Sequence, residues 1–113
     1  MKITFTDKKF AKLVNDDQKL VKEFGVLRTK ILRRRLTQLE DASNLEEIRN
    51  LPGNYHELSH NRKGQWACDL DQPYRLIFRP DESPIPVNEN GQYIWFEIKA
   101  VEVVEVINYH KEK

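Results

Sequence analysis

A short alternating segment and a broken helical pattern open the chain. Residues 2–6, "KITFT", alternate as a strand does, and Asp7 can cap the helix that follows. Polar residues 15–17 interrupt the helical spacing, which Gly25 then ends. The apolar positions of this segment are Phe10, Leu13, Val14, Leu20, Val21 and Phe24. The pattern predicts one strand and then helices that bury one side.

The most regular helical pattern is "VLRTKILRRRLTQL", residues 26–39, which contains neither Gly nor Pro. Its apolar positions recur at steps of roughly 3.6 and are Leu27, Ile31, Leu32, Leu36 and Leu39. Three cations lie opposite this arc: Lys30, Arg33 and Arg34. Arg28 and Arg35 fall inside the arc instead. We interpret both as core-edge arginines whose heads reach carboxylates or solvent, and contact with a bound phosphate is the alternative.

Beyond residue 42 the pattern changes from helices to strands. Residues 43–46, "SNLE", have the form of a capping box in which Ser43 accepts from the Glu46 amide. Pro52 and Gly53 end the short helical turn that follows. The strand-like segments are "YHEL" (55–58), "QWACDL" (65–70), "YRLIFR" (74–79), and "YIWFEI" with "VEVVEVIN" (93–98 and 101–108), which supply one or two strands. A long loop with three prolines, residues 80–91, separates the segment 74–79 from the segment 93–98.

The alternation assigns faces to these strands. Core positions are predicted at Trp66, Cys68, Leu70, Tyr74, Leu76 and Phe78. The outward positions of residues 74–79 are Arg75, Ile77 and Arg79. The order of strand, helices and then a strand meander predicts an α+β fold with N-terminal helices packed on one face of a mostly antiparallel sheet. At 113 residues, the chain is expected to form one domain over residues 1–113.

Composition and charge indicate the cellular location and the kind of partner to expect. No apolar stretch approaches the roughly 20 residues of a membrane helix, no secretory signal is seen, and Cys68 is the single cysteine. We therefore expect a cytoplasmic protein. The net charge of +1 hides a segregation, since residues 1–35 hold 11 Lys and Arg against 4 Asp and Glu. Such a basic segment either binds a polyanion or simply solvates helices.

Metal and cofactor chemistry find little support in the sequence. His56 and His60 are four residues apart, but they fall in a strand and its loop, where this spacing does not bring both rings to one ion. The four glycines are scattered turn residues rather than a phosphate-binding loop. We expect no metal site and no cofactor.

The C-terminal half instead concentrates groups suited to phosphodiester chemistry. These groups are His56, Arg62, Lys63, Arg75, Arg79, Tyr109 and His110. Cleavage of RNA without a metal needs a base for the 2′-hydroxyl, cations for the pentacovalent phosphate and an acid for the departing 5′-oxygen. Histidine, arginine and lysine supply these functions, and tyrosine can stack on an unpaired base. A meander of paired strands can gather these residues on one sheet face or edge.

The stretch "LPGNYHELSHNRKGQWACDLDQPYRLIFRP", residues 51–80, followed by the terminal Tyr-His pair, resembles the RelE superfamily, and within it the HigB-type toxins of toxin–antitoxin systems. The resemblance implies a small microbial-RNase-like fold and ribosome-dependent cleavage of mRNA in the A site without a metal. It also implies a helix-turn-helix antitoxin as partner, through which the pair binds operator DNA.

The resemblance also implies site residues. The family's strand histidine falls on His56, its loop lysine on Lys63, its sheet arginine on Arg75 and its terminal pair on Tyr109 and His110. In the resulting hypothesis the two histidines handle protons, while lysine and arginine stabilise the phosphorane.

The hypothesis also includes additional RNA-binding residues and one position at which this sequence differs from the family. Additional RNA or phosphate contacts are expected from Arg62, Arg79, Asn108, Lys30, Arg33 and Arg34, the last three with Lys8, Lys9 and Lys12 on a basic helical face toward ribosomal RNA. The family often has an acid where this chain has Asn108, which cannot act as a base. Two rival readings remain open: a ParE-like inhibitor of DNA gyrase, and a catalytically weak homologue that acts mainly by binding its antitoxin.

Overall fold

A computed structural model describes residues 1–112 of the chain, with side chains described as far as His110. Lys113, the last residue of the expected domain, lies outside the described residues. Within them the sheet strands are β1 (Lys2–Phe5), β2 (His56–Glu57), β3 (Trp66–Asp69), β4 (Tyr74–Pro80) and β5 (Ala100–Asn108). The α-helices are α1 (Lys8–Val14), α2 (Asp17–Phe24), α3 (Val26–Asp41) and α4 (Tyr109–Glu112). The α+β class predicted from the sequence is confirmed.

The strands form one sheet in the order β1-β5-β4-β3-β2. The β2–β3, β3–β4 and β4–β5 pairs are antiparallel, whereas β1 runs parallel to β5 with Lys2 opposite Ala100. The prediction of a mostly antiparallel sheet is therefore correct. The helices after β1 carry the chain to the opposite edge of the sheet, and the meander β2-β3-β4 leads it back, so β5 comes to lie parallel to β1.

The N-terminal helices cover one face of this sheet, as predicted. The buried leucines of these helices, Leu20, Leu32 and Leu39, join strand residues in one core. Alternation had assigned Trp66, Cys68, Leu76 and Phe78 to this core, and Val101 and Val103 of β5 also belong to it. Trp66 and Phe78 have no exposed surface, and their rings lie 6.3 Å apart between centroids. Leu27 was expected in this core but is 61% exposed, because the first turn of α3, with Val26, lies beyond the packed interface. No described helix is both long and apolar enough to span a bilayer.

The other face of the sheet has a small apolar cluster of its own among the described residues. This cluster consists of buried Ala67, Ile77 and Ile107 with Leu58 and Val104 at its edge. A bulge creates part of it: Ile77 lies opposite Glu105 and Phe78 opposite Val103, so Val104 is an extra residue in β5. The bulge keeps Val103 and Val106 in the main core while Val104 turns to the other side. We call this second face the open face.

Both core-edge arginines of α3 have the structural role that the sequence favoured. Arg28 Nε and Nη2 donate to the two carboxylate oxygens of Asp71 at 2.9 and 3.2 Å. Its guanidinium carbon lies 3.4 Å from the Tyr74 ring centroid, and the Asp71 hydrogen bond raises the pKa of Arg28. Arg35 donates to the carbonyls of Asp69 and Pro52 at 2.8 and 3.2 Å. Both guanidinium groups thus have protein partners, which favours the structural interpretation over contact with a bound phosphate.

Two local predictions were wrong. The capping box lies one residue further along, because the side chain of Asn44 accepts from the Glu47 amide at 3.1 Å while Glu47 Oε2 accepts from the Ser43 amide at 2.7 Å. Residues 93–98 do not form a strand either. A 3₁₀ turn at Trp95–Glu97 and a single bridge between Val87 and Tyr93 replace it, so β5 is the one strand of this region within residues 1–112.

Candidate functional site

The candidate site lies on the open face, where two rows of cross-strand partners bring the predicted residues together. Residues directly opposite each other in adjacent strands project to the same face. One row reads His56, Ala67, Ile77 and Glu105 across β2, β3, β4 and β5. The neighbouring row reads Asp69, Arg75 and Ile107. Polar groups thus surround the small apolar cluster.

Arg75 is held in place from two sides. Its Nε donates to Asp69 Oδ1 at 3.2 Å, and its guanidinium carbon lies 3.8 Å from the Tyr109 ring centroid. Only 17% of the Arg75 side chain is exposed. The backbone of Tyr109 is itself fixed, since its N–H donates to the Pro73 carbonyl at 2.8 Å. A guanidinium stacked on a ring and bonded through Nε keeps its terminal N–H groups in a defined plane.

His56 has a defined tautomer. Its Nδ1 lies 2.7 Å from the carbonyl oxygen of Asn54. Because a carbonyl oxygen can only accept, Nδ1 carries the proton, and the neutral ring has its lone pair on Nε2. The contact depends on the tight turn before β2, in which Gly53 and Asn54 both have positive φ, +126° and +55°. The ring is therefore prepared to accept a proton on Nε2.

A shallow cavity of about 330 Å³ joins four of the predicted residues. His56, Arg62, Arg75 and Tyr109 all line it, together with residues 57–59 and Asn61. Arg62 donates to Gln65 Oε1 at 2.9 Å and to Glu105 Oε2 at 3.3 Å. Each cation of the cavity is thus next to a carboxylate, so an incoming anion must share or displace these carboxylates. This convergence of distant residues is the central feature of the site.

Other predicted residues lie outside this cavity. Lys63, which directly follows the 3₁₀ turn at residues 60–62, lines a neighbouring cavity of about 750 Å³. Arg79 forms an ion pair at 2.7 Å with Glu102, which lies opposite it in β5, next to the row that contains Ile77 and Glu105. His110 is exposed, with its ring centroid 6.2 Å from that of Tyr109.

Asn108 has a structural contact at the end of β5. Its Oδ1 accepts from the backbone N–H of His110 at 3.1 Å, which caps the start of α4. An aspartate at this position could make the same contact. The residue therefore positions the terminal Tyr-His pair, whatever else it does.

The basic helical face is only partly available to a polyanion. Lys30 and Arg34 are exposed, as are Lys8, Lys9 and Lys12. Arg33 differs, because its Nη2 donates to the Val14 carbonyl and to Asp17 and so ties α3 to α2. Arg33 thus has structural contacts of its own, and its role as an RNA contact stays a prediction.

Sequence reasoning missed the carboxylates of the site. Asp69 holds Arg75 and Glu105 holds Arg62, but the site residues predicted from the sequence include neither carboxylate. A signal was present for Asp69, since it follows buried Cys68 and therefore alternates to the same side as Arg75 in a hairpin. Among residues 1–112, no group of three or more His, Cys, Asp or Glu side chains is placed to hold a metal.

A scan against protein-family models and a search of curated proteins both find no match for this chain. The resemblance to the RelE superfamily therefore rests on residues 51–80 and the terminal Tyr-His pair, and it stays a prediction.

Proposed function

We propose that this protein is a HigB-like toxin of a type II toxin–antitoxin system: a cytoplasmic endoribonuclease that cleaves mRNA in the ribosomal A site without a metal ion. The observation that carries the proposal is the single cavity shared by His56, Arg62, Arg75 and Tyr109. These residues come from three separated parts of the chain, and they are the base, cations and aromatic ring that the reaction needs.

The proposed reaction begins at the 2′-hydroxyl next to the scissile phosphate. His56 Nε2 takes the hydroxyl proton, and the 2′-oxygen attacks phosphorus. The bond from phosphorus to the 5′-oxygen then breaks, and an acid protonates that oxygen. The products are a 2′,3′-cyclic phosphate and a 5′-hydroxyl. The hydrogen bond from His56 Nδ1 to the Asn54 carbonyl supports this assignment, because it leaves Nε2 as the proton acceptor.

The remaining roles follow from position. Arg75 and Arg62 would bind the equatorial oxygens of the phosphorane, since the Asp69 contact uses Arg75 Nε and leaves its terminal nitrogens for phosphate. Tyr109 keeps the Arg75 guanidinium in plane. His110, exposed beside Tyr109, is the candidate acid, and Lys63 would contact a neighbouring phosphate from the adjacent cavity. The partners proposed with this role are the ribosome, mRNA and a helix-turn-helix antitoxin that contacts operator DNA.

One observation favours a second candidate, a catalytically weak homologue that acts mainly through its antitoxin. Asn108 replaces the acid often found in the family and caps α4, and Lys63 lies outside the cavity. Both features reduce the number of charged groups at the phosphate. A ParE-like gyrase inhibitor has less support, because its relatives generally lack the Tyr-His pair.

Translation on programmed ribosomes tests these alternatives. Message ends are mapped by primer extension after incubation with the wild-type protein and with His56→Ala and Arg75→Ala. Arg28→Lys is the control, since Arg28 makes the same kinds of contact outside the cavity. A-site cleavage that both alanine variants lose and the control keeps supports the nuclease. Intact message with inhibited supercoiling by gyrase would favour the ParE-like function. Intact message, active gyrase and tight antitoxin binding would favour the weak homologue.

A further inference from the structure

The larger of the two cavities has a lining unlike that of the smaller one, which His56, Arg62, Arg75 and Tyr109 line and which we call the phosphodiester cavity after its proposed role. The larger cavity measures about 750 Å³ and lies between residues 57–65 and residues 88–95. We call it the loop groove. Its lining is mainly neutral and includes the side chains of Gln65, Asn90, Tyr93 and Trp95. The charged groups are the Lys63 ammonium and the Glu57 carboxylate, which pairs with Arg49 at 2.7 Å. A lining of amides and aromatic rings suits a flat, hydrogen-bonding ligand better than a multiply charged anion.

The aromatic wall of the groove is rigid. The Tyr93 and Trp95 rings meet edge to face with centroids 5.1 Å apart, and Trp95 meets buried Trp66 in the same way at 5.0 Å. Tyr93 and Trp95 are both partly exposed, whereas Trp66 anchors them to the core. Rings that are already fixed lose little conformational freedom when a ligand stacks on them.

The loop that carries this wall is fastened by its own side chains. Asn88 Oδ1 accepts from the backbone N–H groups of Asn90 and Gln92 at 2.8 and 3.0 Å, and Asn88 Nδ2 donates to Gln92 Oε1 at 3.1 Å. These bonds occupy Asn88 and Gln92. The side-chain amide of Asn90 has no hydrogen-bond partner among residues 1–110, and the Lys63 ammonium has no carboxylate partner there. Donors and an acceptor are thus free at the groove.

Residues 57–59 line both cavities, so the loop groove and the phosphodiester cavity share one wall. We infer that the loop groove binds an unpaired base of the single-stranded RNA whose phosphate lies in the phosphodiester cavity. The base would stack on Tyr93 or Trp95, its edge would face the amides of Asn90 and Gln65, and Lys63 would contact the flanking phosphate. The identity of this ligand rests on the proposed function, but the groove and its test do not require cleavage.

Binding of trinucleotides that cannot be cleaved tests the inference. The 2′-O-methyl group blocks the attacking hydroxyl, and an abasic site replaces each of the three bases in turn. Binding is followed by quenching of tryptophan fluorescence, to which Trp95 in the groove would respond. For the wild-type protein we expect one abasic position to weaken binding roughly five- to 150-fold, the range for one stacked base. This difference should disappear in Tyr93→Ala and shrink in Asn90→Ala.

The controls separate this inference from the nuclease proposal. Asn50→Ala removes an exposed asparagine outside both cavities and should behave as wild type. Tyr93→Phe retains the ring and should retain the difference, which guards against a folding defect in Tyr93→Ala. His56→Ala should lose cleavage and keep base-dependent binding. The inference is overturned if the wild-type protein does not bind, binds all abasic trinucleotides equally, or keeps its base dependence in Tyr93→Ala. Base-dependent binding without any cleavage on ribosomes would retain the groove and reject the nuclease.

Discussion

The guanidinium of Arg75 stacks on the ring of Tyr109, with its carbon 3.8 Å from the ring centroid. Arg28 repeats the arrangement outside the cavity, 3.4 Å above the Tyr74 centroid. Each arginine also bonds an aspartate, Asp69 or Asp71. The two triads have similar chemistry, but only that of Arg75 lines the phosphodiester cavity. A variant of Arg28 can therefore serve as the control for the same change at Arg75, because it reports the effect of losing such a triad on stability alone.

For the Arg75 triad, we expect Arg75→Lys to reduce cleavage on ribosomes by about 100- to 1,000-fold, because a point charge cannot replace a planar donor to the phosphorane. Arg28→Lys should lower the free energy of unfolding by about 1 kcal/mol and leave cleavage unchanged. Single-turnover rates and urea unfolding of both variants give the comparison. Equal loss of cleavage in the two variants would mean that Arg75 acts through stability alone.

Substitution of Asn108 tests whether the acid that the family often has at this position contributes to cleavage. We expect Asn108→Asp to fold as stably as the wild type, because a carboxylate also accepts from the His110 N–H, and to cleave at least as fast. Asn108→Ala should lose the cap, at a cost of about 1 kcal/mol, and should cleave more slowly because His110 is no longer held. Cleavage rates and thermal unfolding of the two variants are measured together. Slower cleavage by the aspartate variant than by the wild type would argue against an acid-assisted site.

Cys68 predicts a specific dependence of stability on alkaline pH. Burial raises the pKa of its thiol to about 12 from 9.0, so the unfolded chain releases this proton first as the pH rises. The stabilising contribution is complete below pH 9.0 and is lost between 9.0 and about 12. From pH 8 to 10 the free energy of unfolding of the wild type should therefore fall by about 1 kcal/mol more than that of Cys68→Ala. Urea unfolding at both pH values measures this difference, and parallel losses in the two proteins would contradict the buried neutral thiol.

Gly53, in the turn before β2, should tolerate replacement by alanine less well than Gly91, in the loop of residues 80–91. Its φ is +126°, and a Cβ built on it would lie 2.9 Å from the Arg35 guanidinium, which the Asp69 and Pro52 carbonyls hold. Gly91 also has a positive φ, +78°, but no atom within 4 Å of such a Cβ. Gly91→Ala should cost about 1–2 kcal/mol from backbone strain alone, and Gly53→Ala should cost more. Thermal unfolding of both variants decides, and equal costs would show that Arg35 moves aside freely.

Much of this molecule could be predicted from its amino-acid sequence, because the period of apolar positions is a local property. Alternation assigned Trp66, Leu76 and Phe78 to the core, and the helical arc correctly placed Arg28 and Arg35 at its edge. The same reasoning failed for residues 93–98, whose aromatic run looks like a strand. In the structure, the Trp95 ring packs edge to face on Trp66 and the Tyr93 ring packs edge to face on Trp95, and this segment does not pair with a strand of the sheet.

The tertiary structure decided which candidate residues meet. Arg62 and Lys63 are adjacent in sequence but line different cavities, since Arg62 ends a 3₁₀ turn and Lys63 follows it. Conversely, His56, Arg75 and Tyr109 are distant in sequence and share one cavity. The sheet order places β2 and β4 on either side of β3, and Tyr109 directly follows β5, which pairs with β4. Local periodicity determines which way a side chain faces. Only the pairing of strands, which depends on contacts between distant residues, determines what it faces.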